Sequence, residues 1–330
     1  MSFNALPNLI IRNAHLVNEG HSQFCDVLIQ GGRISKIQSS ITGIHRAKEI
    51  EANGAWLLPG MIDDQVHFRD PGAPHKGTIA SESAAATVGG ITSFMDMPNT
   101  KPATLNLDAL NAKKAIAARS SHGNYAFHFG VSADNLSIIE QLDPKLVSGV
   151  KVFMGSSTGN MLVDDPKALE FLFAHVPTIL LTHCESSPIV TANEALYRAQ
   201  YGENVPAHFH PLIRDEACCY ASSKMAVELA KKYQTQLHVL HLTTAKELSL
   251  FENKPLHEKH ITAEVCIHHL HFDAQDYDQL GHLIKCNPSI KSKTDREALI
   301  KAVSSSDLLD IIGTDHAPHT WDEKQNSNFN

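Results

Sequence analysis

The chain has 330 residues, 42% of them hydrophobic and 19% charged, with a formal net charge of −8. That is the composition of an ordinary soluble globular protein, long enough for a barrel-sized domain of roughly 250 residues plus a smaller partner. The negative balance argues against a general nucleic-acid or anionic-membrane binder; it leaves room for an anionic small molecule, since a few local cations can reverse the potential inside one pocket.

The N-terminus has no basic region followed by an apolar core, so it does not read as a secretory signal. No apolar run approaches the roughly 20 residues of a membrane span. Cysteines at 25, 184, 218, 219, 266 and 286 show no paired spacing and no CxxC. The expectation is reduced thiols in a cytoplasmic protein. Histidine is the anomaly of the composition, with 21 copies, many beside strand-like runs.

Residues 8–56 alternate and turn frequently, with short strands at Leu9-Ile10-Ile11, Asp26-Val27-Leu28-Ile29 and Arg33-Ile34-Ser35-Lys36-Ile37. Gly31-Gly32 predicts a tight hairpin between the last two. These features suggest a small β unit over residues 1–56. The apolar run 56–62 reads as a buried strand bounded by turn formers, leading into the polar stretch Asp63-Asp64-Gln65-Val66-His67-Phe68-Arg69-Asp70. Strand alternation would point Gln65, His67 and Arg69 to one side.

From residue 57 the rhythm changes. Short apolar runs recur at 57–67, 91–97, 125–131, 149–154, 178–184, 236–243, 261–267 and 309–315, separated by helix-like stretches such as 79–88, 107–119, 216–233 and 294–303. Eight strands alternating with helices predict an α/β protein built as a (β/α)8 barrel over 57–330. A doubly wound open sheet would normally bring a Gly-rich phosphate turn after an early strand, and none is present. Residues 317–330 look too short and too polar for a last barrel helix, so a truncated barrel is expected.

The polar residues at the strand ends form a constellation: His67 on the first, Lys151 on the fourth, His183 on the fifth, His241 on the sixth and Asp315 on the eighth. Each suits a divalent ion such as Zn²⁺, or becomes suitable by modification. Any one histidine alone would read better as a hydrogen-bonded core residue. Five such residues at five strand ends, which converge on one face of a barrel, favour a metal site. Lys151 lies between Val150 and Val152 on an interior strand, where burying an ammonium is costly. Carbamylation by CO₂ would make it an anionic bridging ligand; pairing with a carboxylate such as Asp315 is the plainer alternative.

Several strings resemble the dihydroorotases of the amidohydrolase superfamily. They are Pro59-Gly60-Met61-Ile62-Asp63, His67-Phe68-Arg69-Asp70-Pro71-Gly72, Met97-Pro98-Asn99-Thr100, Gly149-Val150-Lys151-Val152-Phe153-Met154-Gly155, His183-Cys184-Glu185 and Gly313-Thr314-Asp315-His316-Ala317-Pro318-His319. Thr262-Ala263-Glu264-Val265, His268-His269-Leu270, Asn287-Pro288 and Asp295-Arg296-Glu297-Ala298 extend the match, which runs from about residue 8 to the end. The resemblance implies a (β/α)8 barrel with a small β-sandwich whose C-terminal strands are absent here. It also implies a zinc centre of one or two ions. His67 and Asp315 would hold one and His183 and His241 the other, with carboxylated Lys151 bridging. Arg69, Asn99 and His319 would grip the substrate carboxylate, Asn287 would make a further substrate contact, and Asp315 would carry the catalytic proton. The implied reaction is the reversible cyclisation of N-carbamoyl-L-aspartate to L-dihydroorotate in pyrimidine biosynthesis. A homo-oligomer is expected, with aspartate transcarbamoylase as a further partner to consider.

The family pattern has a histidine two residues before His67, where this chain has Gln65. An amide oxygen is a weaker zinc ligand than imidazole, so Gln65 is expected to bind weakly or not at all. The expectation is a tight ion on the His183, His241 and Lys151 side and a looser one near His67 and Asp315. The rival readings are another cyclic amidohydrolase (an allantoinase or hydantoinase) or an inactive dihydroorotase-like assembly subunit.

Overall fold

The computed structural model describes residues 7–155 and 161–325. The chain divides into two units, Met1–Met61 and Ile62–Asn330.

The first unit is built on a mixed sheet. Strands β1 (Leu9–Asn18), β2 (His21–Gln30), β3 (Arg33–Gln38), β4 (Lys48–Glu51) and β5 (Trp56–Leu57) pair in the order β3-β2-β1-β4, with β5 also on β1. Gly31 and Gly32 have φ of 58° and 77°, the left-handed conformation that both central residues of a two-residue hairpin need, and Gln30 faces Arg33 across it. Ile10, Leu28 and Ile41 form its small apolar core.

The run 56–62 is not a buried strand. Trp56-Leu57 pairs with β1, and Trp56, Leu58, Met61 and Ile62 are 73%, 56%, 55% and 59% exposed. Pro59-Gly60 breaks the run, so its apolar residues are shared between two strands instead of filling one. Burial begins only at Asp63.

The second unit carries eight strands in sequence order: β6 (Met61–Val66), β7 (Ile91–Asp96), β8 (Asn124–Gly130), β9 (Gly149–Phe153), β10 (Leu180–His183), β11 (Leu237–Val239), β12 (Ile261–Cys266) and β13 (Ile311–Gly313). The ring closes where Val66 bridges His316 in parallel and the His67 N–H donates to the His316 carbonyl at 2.8 Å. This is the (β/α)8 architecture. β9 is buried along its whole length, as a parallel strand covered on both faces should be.

The helices begin where side chains can cap them. Thr78 caps Ile79–Val88, Asn106 caps Leu107–Ser120, Asp215 caps Glu216–Tyr233 and Ser292 caps Lys293–Ser305. Helices Pro166–His175 and Ser187–Tyr201 complete the gaps after β9 and β10, each with proline in its first turn. Phe68, Phe94, Phe127, Phe129, Leu169 and Phe173 belong to one continuous core around the strands. Within it, Lys113 on the second of these helices meets Asp96 at 2.5 Å, both side chains being fully buried. Asp96 also accepts the Phe68 N–H at 2.8 Å, and Lys113 donates to the Met97 carbonyl at 2.7 Å. After β13 the described chain holds one short helix, Trp321–Gln325. Among the described residues, no helix is long and apolar enough to cross a membrane.

Candidate metal and substrate site

The C-terminal ends of the barrel strands open into a cavity of about 1060 Å³, lined by Gln65, His67, Arg69, Asn99, Lys151, His183, His241, Asn287, Asp315 and His319 among others. All the residues singled out from the sequence therefore face one space. Direct contacts join them in two groups.

The first group gathers at Asp315. Its Oδ1 accepts the Gln65 amide N–H at 3.1 Å and lies 3.0 Å from His67 Nε2. His67 Nδ1 is 2.8 Å from Asn99 Oδ1, which as an acceptor fixes the proton on Nδ1 and turns Nε2 towards Asp315. Burial opposes ionisation of Asp315, but the hydrogen bond and charge of His67 outweigh it and hold the carboxyl below its usual range. Asp315 has a φ of 46°, an uncommon conformation for a non-glycine residue. Its neighbour Thr314 is anchored by Asp63, which accepts from the Thr314 N–H at 3.2 Å and from its hydroxyl at 2.5 Å.

The second group pairs His183 with His241. His183 Nδ1 and His241 Nε2 are 3.1 Å apart, while His183 Nε2 lies 2.8 Å from Glu185 Oε2. Burial would raise the Glu185 carboxyl, yet Arg214 and His183 hold it at about 2. The carboxylate therefore accepts a hydrogen bond from the His183 Nε2–H and leaves the His183 Nδ1 lone pair beside His241, an arrangement typical of histidine ligands. Burial lowers the pKa of both imidazoles, so both are neutral, the form that ligates metal.

Lys151 shares the cavity without joining either group. Its side chain is 1% exposed, and Nζ has no hydrogen-bond partner among the described residues. Burial pushes its pKa down to about 8 against the pull of Asp315. The Asp315 ion pair considered above is not formed. His241 Nδ1 and Gln65 Oε1 are likewise buried without partners. Unpaired nitrogen and oxygen atoms around neutral imidazoles and an ionised carboxylate are a donor set that suits a borderline divalent ion, with Gln65 the weakest member.

The mouth of the cavity is cationic. Arg69, at φ 65°, leaves the strand direction; its Nε donates to the Pro318 carbonyl at 3.1 Å and its Nη2 to His319 Nε2 at 3.1 Å. It does not pair with Asp70, whose carboxylate instead accepts the Ile79 N–H at 3.4 Å. Burial, with Arg69 nearby, pushes the His319 pKa down to about 4, so the ring is a neutral acceptor. Asn287 Oδ1 lies 3.1 Å from His210 Nε2. Two residues had no assigned role in the sequence reading. Glu185 orients His183 through a single hydrogen bond, which no spacing in the sequence signals. His268 lines the cavity with a buried Nε2 that has no partner among the described residues.

Residues 54–133 match the family model described as dihydro-orotase-like. A dihydroorotase of Methanosarcina acetivorans is 27% identical over 97% of this chain and 69% of its own length. One from Methanothermobacter thermautotrophicus is 32% identical over 90% of this chain and 65% of its own. An allantoinase of Bacillus velezensis is 29% identical over 94% and 69%. In structure the chain resembles the L-hydantoinase of Arthrobacter aurescens, with a TM-score of 0.88 at 24% identity over 97% of this chain and 71% of that one. Fold and relatives together define a hydrolase of the amidohydrolase superfamily. Within that superfamily the chain is similar to dihydroorotases over most of its length and to the dihydro-orotase-like model over residues 54–133.

Proposed function

We propose that the chain is a zinc-dependent dihydroorotase, interconverting N-carbamoyl-L-aspartate and L-dihydroorotate. The observation that carries the reading is Arg69, a half-buried guanidinium at the wall of the cavity that also holds His67, Lys151 and Asp315. A half-buried cation fork beside a donor set for a metal suits a small cyclic amide bearing a carboxylate. His183, His241 and Lys151 would hold one ion tightly; His67 and Asp315 would hold a second more loosely. When bound, a divalent ion supplies Lewis-acid polarisation of the scissile carbonyl and a water acidic enough to attack at neutral pH.

The chain's own residues would do the rest. Arg69 and His319 orient the substrate carboxylate, with Asn287 further along the wall. Asn99, bonded to His67, positions that ring as well as facing the cavity. Asp315, kept ionised, takes a proton from the attacking water and delivers it to the leaving ring nitrogen. Lys151, with a pKa near 8, has an appreciable neutral fraction at physiological pH, and only the neutral amine reacts with CO₂ to give the bridging carbamate. On this reading the chain would serve pyrimidine biosynthesis in the cytoplasm as a homo-oligomer, with aspartate transcarbamoylase as a partner to test.

The allantoinase relative supports a second reading, a cyclic amidohydrolase acting on a different ring. Zinc-reconstituted protein assayed with dihydroorotate, allantoin and hydantoin separates the two, with dihydroorotate expected to dominate in kcat/KM. Turnover of allantoin or hydantoin alone sinks the proposal, and turnover of none of the three favours an inactive assembly subunit. Arg69→Met should raise KM for dihydroorotate about tenfold to a hundredfold, the loss of a charged hydrogen bond of about 1.5–3 kcal/mol, with kcat less affected. Asp315→Ala should abolish turnover while most of the zinc is retained; near-normal kcat would remove Asp315 from the proton path.

A further inference from the structure

We propose that Asp64, His238 and Glu264 form a second, separate binding site for a divalent cation of the zinc class, enclosed within the barrel. The three come from β6, β11 and β12, are 8%, 2% and 0% exposed, and are not part of the cavity wall described above. One ligand atom from each lies within 4.8 Å of the other two.

Hydrogen-bond bookkeeping points to a cation between them. His238 Nδ1 is 2.7 Å from the Thr262 hydroxyl, which donates its own hydrogen to the Leu237 carbonyl at 3.3 Å. With the Thr262 hydrogen on the Leu237 carbonyl, the ring proton sits on Nδ1. That leaves His238 Nε2 facing two carboxylates, 3.3 Å from Asp64 Oδ2 and 3.7 Å from Glu264 Oε2. Both contacts are ion-pair distances without hydrogen-bond geometry, and among the described residues Nε2, Asp64 Oδ1 and Glu264 Oε2 are buried with no hydrogen-bond partner. A charged N–H and a carboxylate would normally close to about 2.7–2.9 Å. Donor atoms around a tetrahedral zinc, with bonds of about 2.0–2.1 Å, stand about 3.3–3.4 Å apart. The 3.3 Å separation from Asp64 is of the second kind, and the 3.7 Å one from Glu264 is a little wider.

The surroundings hold the three in place. Glu264 Oε1 accepts from the His241 N–H at 3.3 Å and the Cys266 thiol at 3.1 Å, which turns Oε2 inward. His128 Nε2 donates to the Asp64 carbonyl at 2.9 Å, and its Nδ1 is 3.1 Å from the Ser148 hydroxyl, so it orients Asp64 without being free to ligate. A Cβ at Gly313 would lie 2.8 Å from the Glu264 carboxyl carbon, so the glycine keeps the space the carboxylate occupies. Partners one step out from the ligands, each fixing a tautomer or a carboxylate, accompany true metal sites. Burial would lower the His238 pKa, but Asp64 and Glu264 raise it to about 9, so the two buried carboxylates draw one positive charge onto the ring; a divalent ion that displaces that proton would balance both.

The test uses zinc alone, with the intact chain unfolded in chelator, refolded with excess zinc, dialysed, and its metal counted by mass spectrometry. The double variant His183→Ala/His241→Ala, which dismantles the tight side of the strand-end centre, should keep one equivalent. Glu264→Gln and Asp64→Asn should each hold one equivalent less than the parent. A double variant that binds none, or Glu264→Gln and Asp64→Asn binding as much as the parent, overturns the proposal, and an imidazolium shared between the carboxylates takes its place. Anomalous diffraction at the zinc edge from the unsubstituted protein reads the same point without any variant. A peak enclosed by Asp64, His238 and Glu264 is expected, and density there without one counts against it. Activity plays no part in either readout, so failure of the dihydroorotase reading leaves the result intact.

Discussion

Gln65 donates an N–H to the same Asp315 oxygen that faces His67 Nε2, and its own Oε1 has no partner among the described residues. The amide thus occupies a lone pair that a metal at this position would use. Imidazole in its place would offer a stronger ligand and release that oxygen. Gln65→His is therefore expected to retain one additional zinc equivalent against a competing chelator, with the His183 side unchanged; an unaltered metal content would show that Gln65 does not limit the position. Residue identity at strand ends was readable from sequence because histidines, a lysine and an aspartate are rare company at the ends of apolar runs. The partners of those residues were less readable. Glu185 and Asn99 act through hydrogen bonds to single ring nitrogens, and no spacing rule separates a carboxylate that orients a ligand from one on the surface. Asp64 illustrates the limit: lying between Asp63 and Gln65, it reads as part of one polar stretch, yet its side chain joins His238 and Glu264.

Elements are held in register by a few buried polar contacts. The end of β6 is joined to β7 and to helix Leu107–Ser120 through Asp96, which accepts the Phe68 N–H and pairs with the fully buried Lys113. Removing the carboxylate leaves an ammonium with no counter-charge in the core, whereas the Phe68 amide could still bond to a neutral side chain. Asp96→Asn should cost about 3–5 kcal/mol in urea unfolding, the penalty for breaking a buried pair. The double change Asp96→Asn/Lys113→Met should recover much of that. A single variant within 1 kcal/mol of the parent would show that the pair is not holding these elements. The strands and the longer helices were legible in the apolar pattern because a parallel barrel strand is buried on both faces and its helices carry one apolar stripe. The run 56–62 misled because apolar content was read without the break at Pro59-Gly60. Trp56, Met61 and Ile62 show that a hydrophobic residue before a barrel strand need not enter its core.

For the whole molecule, Lys151 sets a cost that the rest of the fold must carry. Eight strands place it inside the ring, where burial holds its pKa at about 8 instead of the usual 10.5. The unfolded chain therefore binds the proton more tightly than the folded one, and stability contributed by this group rises with pH between those two values. At pH 7 the folded, metal-free protein bears nearly the full penalty, which for a difference of 2.5 pH units is on the order of 3 kcal/mol; above 10.5 it bears almost none. Lys151→Met, close in volume and without charge, is expected to unfold at higher urea than the metal-free parent at pH 7. The gap should narrow as pH rises through 8 and towards 10.5. Measuring both proteins side by side cancels the other lysines, tyrosines and thiols that titrate in the same window. A Lys151→Met variant less stable than the parent at pH 7, or a gap that does not change with pH, would show that the amine is already compensated inside the apo barrel, and its role as the precursor of a carbamate ligand would lose its physical motive.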